Sequence, residues 1–362
     1  MRRRGKKWVE ELNEPSCHRL EPLQIDDNNI HQEERTYTNI VHTIVSIRRQ
    51  CQHDLPKMKK RYLLLIVCVF IKKPALGRVL VPPLPTIPDV LHPPIPDEVE
   101  LDEGIRAILE EQDPEVTPGL FQGDMAIDNE IYNYWRIGLR WDVFPEKMWE
   151  NGTVPYVISP LYEPAEYITI TRAITTINFM TCVKFVPWNG KQKDYLLIWP
   201  IKYPKGCWSY VGKYGGPQVV SLQPPDQKGP NCLGNEGRAM HELLHALGIF
   251  HEQSRDDRDK FVEIHEENVI PQFLSNFDKQ SLENTTYKFE YDYDSIMHYG
   301  KNFFSIGKGK PTITAKHPGA QLGQRKMLSK TDCLKLNDMY GCLEKSLYHQ
   351  RKYFTICRVL GL

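Results

Sequence analysis

The stretch that decides the fold is His241-Glu242-Leu243-Leu244-His245-Ala246-Leu247-Gly248-Ile249-Phe250-His251. Two histidines four apart on a helix stand one turn above each other on the same face, so both imidazoles reach one metal ion. Glu242 projects about 100° round the helix from His241. Its carboxylate then lies beside a water on the metal rather than on the metal itself, the place of a general base. Gly248 takes a positive φ without strain, ends the helix and turns the chain back, which lets His251 supply a third nitrogen. Three protein nitrogens and an open position are the ligand set of a catalytic zinc ion, one per chain, rather than of a structural one. A bare His-Glu-x-x-His also arises by chance on ordinary helices, but the glycine and third histidine at these offsets remove coincidence.

Outward from this motif the composition is that of a globular protein. The 362 residues are 41% hydrophobic and 25% charged with a formal net charge of zero. That balance gives no electrostatic reason to expect nucleic acid or an acidic membrane surface as a partner. Six of the nine cysteines lie at or after Cys182, at no zinc-finger spacing; in an exported chain such cysteines mean disulfides. Residues 1–57 are polar and aperiodic and are assigned no fold, as an unstructured or spurious upstream extension. Met58-Lys59-Lys60-Arg61-Tyr62 then precedes the apolar run Leu63 to Ile71. A basic start before a short apolar run reads as a secretory signal over 58–77, with small residues at Ala75-Leu76-Gly77 for cleavage. A buried strand is the alternative. The run falls short of the roughly 20 apolar residues that span a bilayer, so a secreted, extracellular chain without a stable membrane anchor is expected. Cys17, Cys51 and Cys68 would then be absent from the mature protein.

Residues 79–96 are dense in proline and therefore extended. An acidic stretch to Glu115 follows, with a short helical patch around Ile105 to Leu109. From about Trp149 the pattern is that of a packed domain. Strands are predicted over 154–158, 182–186 and 195–199. Tyr167, Ile170, Ala173, Ile174 and Ile177 recur at helical spacing, predicting a helix over roughly 163–180. Asn151 and Asn284 head glycosylation sequons, consistent with export.

The zinc motif resembles that of the metzincin peptidases, and its continuation Glu252-Gln253-Ser254-Arg255-Asp256-Asp257-Arg258-Asp259 is similar to the run after the third histidine in the astacin family. The resemblance covers roughly residues 119–342. It implies an α+β fold: a two-lobed catalytic domain over 141–342, with a twisted, mostly parallel sheet, an antiparallel edge strand and two long helices in the upper lobe. The lower lobe would be mostly irregular, with 343–362 as a C-terminal tail. Ser295-Ile296-Met297-His298-Tyr299-Gly300 resembles the family's Met-turn, which implies Met297 as an apolar floor beneath the metal. It also implies Tyr299 as an additional ligand that swings off to hold the oxyanion. The resemblance implies disulfides Cys182–Cys342 and Cys207–Cys232, each stabilising by very roughly 3–5 kcal/mol. Cys333 and Cys357 have no counterpart in the family and could pair with each other or stay free. The segment from Cys232 to His241 is slightly longer than usual, which a loop can absorb.

Leu120-Phe121-Gln122-Gly123-Asp124-Met125 resembles the family's propeptide motif. It implies a propeptide over 78–140 with its latency motif at 121–124, where Asp124 ligates zinc in the zymogen; a simple Gly-Asp turn is the alternative. Activation would cut between Asp124 and Trp149, with Arg136 and Arg140 as basic candidates. Family spacing favours Arg140, leaving Trp141 as a new terminus buried near Glu252. The activity implied is that of a secreted zinc endopeptidase made latent, monomeric, with protein or peptide substrates and an activating protease as partners. The strand Tyr195–Trp199 is the candidate edge for substrate, a core strand being almost as good a reading. Arg325, in Gly323-Gln324-Arg325, lies where relatives can place a basic residue in the first primed pocket, favouring Asp or Glu just after the cut bond. An exposed arginine is the plain alternative. With little sequence after Cys342, substrate selection is expected to rest in the cleft and its rim. A catalytically inactive secreted zinc-binding protein is the other class of reading; the intact Glu242 speaks against it.

Overall fold

The computed structural model describes residues 101–110, 113–137, 145–225, 231–281 and 288–362. The expected signal, the proline-dense stretch, the cut near Arg140 and the sequon at Asn284 lie outside the described residues. Asn151 lies within them, exposed and with a left-handed φ of 54°.

The element that anchors the upper part is helix α3 (Pro164–Met180), preceded by α1 (Glu103–Glu110) and α2 (Asn129–Arg136). Pro164 opens α3, and Glu163 and Glu166 close a reciprocal capping box at its start, satisfying donors that a helix N-terminus leaves free. Ile170, Ala173, Ile174, Ile177 and Met180 form its buried stripe. Tyr167, which helical spacing assigns to the same stripe, faces solvent at 48% exposure.

The six-stranded sheet has the order β1-β5-β6-β4-β2-β3. Its strands are β1 (Met125–Ala126), β2 (Thr153–Ile158), β3 (Lys184–Pro187), β4 (Tyr195–Trp199), β5 (Trp208–Tyr210) and β6 (Pro217–Ser221). Every neighbouring pair is parallel except β5 with β6. The strand β4 lies between β6 and β2, with Tyr195, Leu196, Leu197 and Ile198 all buried. This corrects the reading of Tyr195–Trp199 as a substrate edge. A near-continuous apolar run is what a parallel strand covered on both faces requires. The sheet's edge beyond the antiparallel strand β5 is filled by β1, Met125 opposite Ser209 and Ala126 opposite Tyr210.

Beneath the sheet runs α4 (Glu236–Ala246), capped by Asn235, whose side chain accepts from the Gly237 amide at 2.9 Å. Below it the chain is mostly short 3-10 turns, with a two-stranded antiparallel sheet of β7 (Val262–Ile264) and β8 (Ile313–Ala315). A cluster of Val269, Ile270, Phe273, Phe277, Tyr299, Phe303 and Phe304 fills this part, and Leu101, Ile105, Ile108 and Leu109 on and beside α1 pack against it. The chain closes with α5 (Lys330–Met339) and α6 (Leu347–Leu360). The tail is therefore a helix, pinned by a Cys333–Cys357 disulfide beside the pairs Cys182–Cys342 and Cys207–Cys232. Among the described residues no helix is long and apolar enough to cross a membrane.

Candidate active site

Helix α4 presents His241 and His245 one turn apart, both wholly buried. At its end Gly248, with φ 103°, turns the chain. Its amide donates to the His245 carbonyl at 2.8 Å, and the Ile249 amide donates to the Leu244 carbonyl at 3.0 Å. That turn does two things. It carries His251 back towards the helix, and it sets the Ile249 carbonyl behind His245, whose Nδ1 donates to it at 2.7 Å. His241 donates through Nδ1 to the Ile296 carbonyl at 2.8 Å, and His251 through Nδ1 to Oε1 of Gln122 at 3.0 Å. Because each Nδ1 faces an acceptor oxygen, each must carry the proton, which leaves the Nε2 lone pairs turned inwards.

Those lone pairs meet Asp124. Its Oδ2 lies 3.1 Å from Nε2 of both His241 and His251, and its Oδ1 lies 3.5 Å from Nε2 of His245. The four ligand atoms all fall within 4.8 Å of one another, and all four residues are buried. Nε2 of His241 and His245 lie 3.1 Å apart, two acceptors facing each other with no proton between them. Such a set of three neutral imidazoles and a carboxylate fits a tetrahedral divalent cation of the zinc kind. Burial first, and then the Arg325 charge, holds the His241 imidazole down to about 4. Burial likewise holds His251 to about 4. Both are therefore unprotonated, as ligands must be. Burial raises the Asp124 carboxyl; positive charge on His251 and His245, and hydrogen bonds from His241 and His245, would outweigh it and lower it well below the usual range whenever those rings carry a proton at Nε2.

Glu242 is fully buried beside this cluster, and among the described residues neither carboxylate oxygen has a hydrogen-bond partner. Burial first, then the negative charges of Asp124 and Glu115, pushes its carboxyl well above the ordinary range, against the pull of Arg325. Met297 is 1% exposed, its carbonyl accepting from the Glu252 amide at 3.1 Å. Glu252 itself pairs with Arg255 at 3.0 Å and with Lys335. The amino terminus expected beside it falls in the undescribed 138–144.

Asp124 joins the three histidines as the fourth residue of the cluster, and the Tyr299 hydroxyl donates to the Gln122 carbonyl at 2.7 Å. Its ring stays against His251, centroids 4.9 Å apart. Arg325 is not the exposed arginine of the plain alternative. It is 7% exposed and paired with the fully buried Glu115, 210 residues earlier, Nε lying 2.8 Å from both carboxylate oxygens.

Several working residues carried no signal in the sequence. Asp332 on α5 accepts from the Ser295 hydroxyl at 2.6 Å and from the Ile296 amide at 2.8 Å, which aims the Ile296 carbonyl at His241. Asn276 accepts from the Gln122 amide at 3.0 Å and helps hold that residue at its left-handed φ of 49°. Gln122 stood only at the variable position of its motif, yet it touches His251 and Tyr299 together.

An α+β domain with three inward-facing imidazoles on a helix and its following turn, and a buried glutamate next to the first, defines the class of zinc-peptidase domains. Residues 142–341, more than half of the chain, match the family model described as Astacin, a peptidase family. The chain belongs to the astacin family of zinc metalloendopeptidases. It is 36% identical over 262 residues to zinc metalloproteinase nas-14 of Caenorhabditis elegans, covering 69% of this chain and 50% of that protein. It is 37% identical over 228 residues to high choriolytic enzyme 1 of Oryzias latipes, covering 62% of this chain and 78% of that protein. A solved structure of that hatching enzyme zinc-protease is 38% identical, with a TM-score of 0.47 over 54% of this chain and 93% of that one. The chain spans about half the length of the first curated relatives it matches.

Proposed function

We propose that the protein is a secreted zinc endopeptidase held latent by its own N-terminal segment, with residues 78–140 as the propeptide and 141–342 as the catalytic domain. The observation that carries this reading is the Asp124 carboxylate seated among Nε2 of His241, His245 and His251. His241, His245 and His251 hold the ion; in the latent chain Asp124 closes the coordination, as a carboxylate can. Zinc, when bound, supplies a Lewis acid that activates water as a nucleophile near neutral pH and polarises the scissile carbonyl.

Residues of the chain do the rest. Cleavage near Arg140 removes Asp124 and Glu115 together, and with them the cover and the negative charges that keep the Glu242 carboxyl high. Arg325 remains and favours the ionised form. Glu242 then takes a proton from the attacking water and returns it to the leaving amine. Tyr299, released from the Gln122 carbonyl, turns its hydroxyl to the oxyanion of the tetrahedral species. Substrate lies along β5, the edge that β1 occupies in the latent chain, by strand addition. Arg325, freed of Glu115, receives an acidic side chain just after the cut bond. Export agrees with three disulfides and with the exposed sequon at Asn151.

The test is the uncut full chain against the same chain cut by trypsin, each loaded with zinc and assayed on a protein substrate. Activity appearing only after the cut, and at least tenfold higher in uncut Asp124→Ala than in the uncut parent, is the expected result. Equal activity before and after the cut would refute latency.

A further inference from the structure

We infer that Gln253, His298 and Tyr291 are positioning residues for Tyr299: they clamp its backbone on both sides, so that after activation its hydroxyl swings about a fixed pivot. The inference rests on the reading above, which gives Tyr299 the oxyanion, and adds the residues that place it. The Tyr299 amide donates to Oε1 of Gln253 at 3.1 Å. Its carbonyl accepts from Nδ1 of His298 at 3.0 Å, and Nε2 of His298 accepts in turn from the Tyr291 hydroxyl at 2.7 Å. The direction of this relay follows from its end. A carbonyl oxygen can only accept, so Nδ1 carries the imidazole proton and the Nε2 lone pair must meet a donor. Burial, before any other cause, holds the His298 ring down to about 4, so it stays neutral and keeps this one tautomer.

Each part of the clamp is itself held. Gln253 is fully buried in the 3-10 turn Glu252–Ser254, and its carbonyl accepts from Nη1 of Arg258 at 3.1 Å. It therefore ties Tyr299 to the turn that directly follows His251. His298 is fully buried, its carbonyl accepting from Nη1 of Arg325 at 3.0 Å. The Tyr291 ring stacks on Phe261, centroids 4.6 Å apart and planes 7° from parallel, and the Arg255 guanidinium lies 5.4 Å from its centroid. All of these residues fall within 141–342, so the clamp survives a cut near Arg140. The far end of Tyr299 is held differently. Its hydroxyl donates to the Gln122 carbonyl at 2.7 Å, which in that reading leaves with the propeptide; the Asn276 carbonyl, 3.5 Å away, is at the limit of a hydrogen bond. Loss of Gln122 thus frees the side-chain torsions of Tyr299 while its amide and carbonyl stay fixed. The hydroxyl then moves on an arc whose centre does not shift. That matters because a misplacement of about 1 Å at a catalytic site can cost about 100-fold in rate.

The experiment uses the full chain, zinc-loaded and activated by trypsin, and measures kcat and KM on one peptide substrate. The variants are Tyr291→Phe and His298→Leu, each made alone and together with Tyr299→Phe. Tyr291→Phe keeps the stacked ring and removes only the hydroxyl donor. With Tyr299 in place, kcat falls about threefold in Tyr291→Phe and about tenfold or more in His298→Leu, within what misplacing one oxyanion donor can cost. KM and zinc content stay at the parent's values. In the Tyr299→Phe background there is no hydroxyl to place, so neither change lowers kcat further. Equal fold losses in the two backgrounds overturn the inference, because a general disturbance of the fold does not depend on that hydroxyl. So does Tyr291→Phe with the parent's kcat, and this pair of chains decides alone if His298→Leu does not fold. Should Tyr299→Phe by itself keep the parent's kcat, the oxyanion role falls together with the inference, and the zinc peptidase reading stands.

Discussion

The side chain of Gln122 accepts a hydrogen bond from Nδ1 of His251 at 3.0 Å, so a residue of the N-terminal segment orients a ligand of the catalytic domain. Partners of this kind fix the tautomer of a metal-binding histidine, and their loss costs typically 10–100-fold in metal affinity. Gln122→Ala is therefore expected to weaken zinc binding about tenfold or more in the uncut chain, measured by competition with a chelator. After trypsin activation parent and variant should bind alike, since Gln122 has gone from both. A loss of the same size in the activated forms would contradict the assignment.

The Tyr299 hydroxyl donates to the Gln122 carbonyl, and in the proposed mechanism it turns to the oxyanion once activation removes Gln122. Loss of one oxyanion donor costs about 100–1,000-fold in kcat, so activated Tyr299→Phe should lose activity on that order with KM little changed. Unaltered kcat would remove Tyr299 from the mechanism.

Gly237 sits where α4 crosses the chain at Arg325. A Cβ there would lie 1.9 Å from the Arg325 carbonyl oxygen and 2.1 Å from its carbon, both backbone atoms. Helix propensity alone makes Gly237→Ala favourable by about 1 kcal/mol, but overpacking of this kind typically costs 1–3 kcal/mol. We expect net destabilisation of about 1–2 kcal/mol by denaturant titration. A stabilised variant would show that the crossing yields.

Much of this site is legible in the sequence, and the limits have physical causes. The helical spacing of His241 and His245, and the positive φ that Gly248 alone tolerates easily, dictate the metal face before any coordinates. The stripe of α3 is legible because burial on one face leaves a 3.6-residue rhythm. The role of β4 was not, because Tyr195–Trp199 has the same apolar run whether buried in a sheet or turned to a ligand. Asp332, Asn276 and Glu115 left no trace because their partners lie far along the chain. Their meaning comes from tertiary placement, not from local pattern.

Asp292 offers a test by pH. Burial first, then the Asp332 charge, raises its carboxyl to about 6 from an ordinary 3.8, against the Ser329 hydrogen bond. A raised folded value means the native state binds the proton more tightly than the unfolded chain, so ionisation costs stability as pH rises through the window from about 4 to 6. Asp292→Asn carries no such cost. The stability of the variant relative to the parent should therefore improve by about 2–3 kcal/mol between pH 4 and pH 7. A difference that does not change with pH would show Asp292 to titrate normally.

The account turns on Glu242, buried beside the histidine cluster with no hydrogen-bond partner among the described residues. The most direct measurement is peptide hydrolysis by trypsin-activated parent and Glu242→Ala chains of equal zinc content. General-base catalysis contributes about 100–10,000-fold, so the variant should keep its zinc and lose activity within that range. A variant that holds zinc and cleaves at the parent's rate would contradict the mechanism.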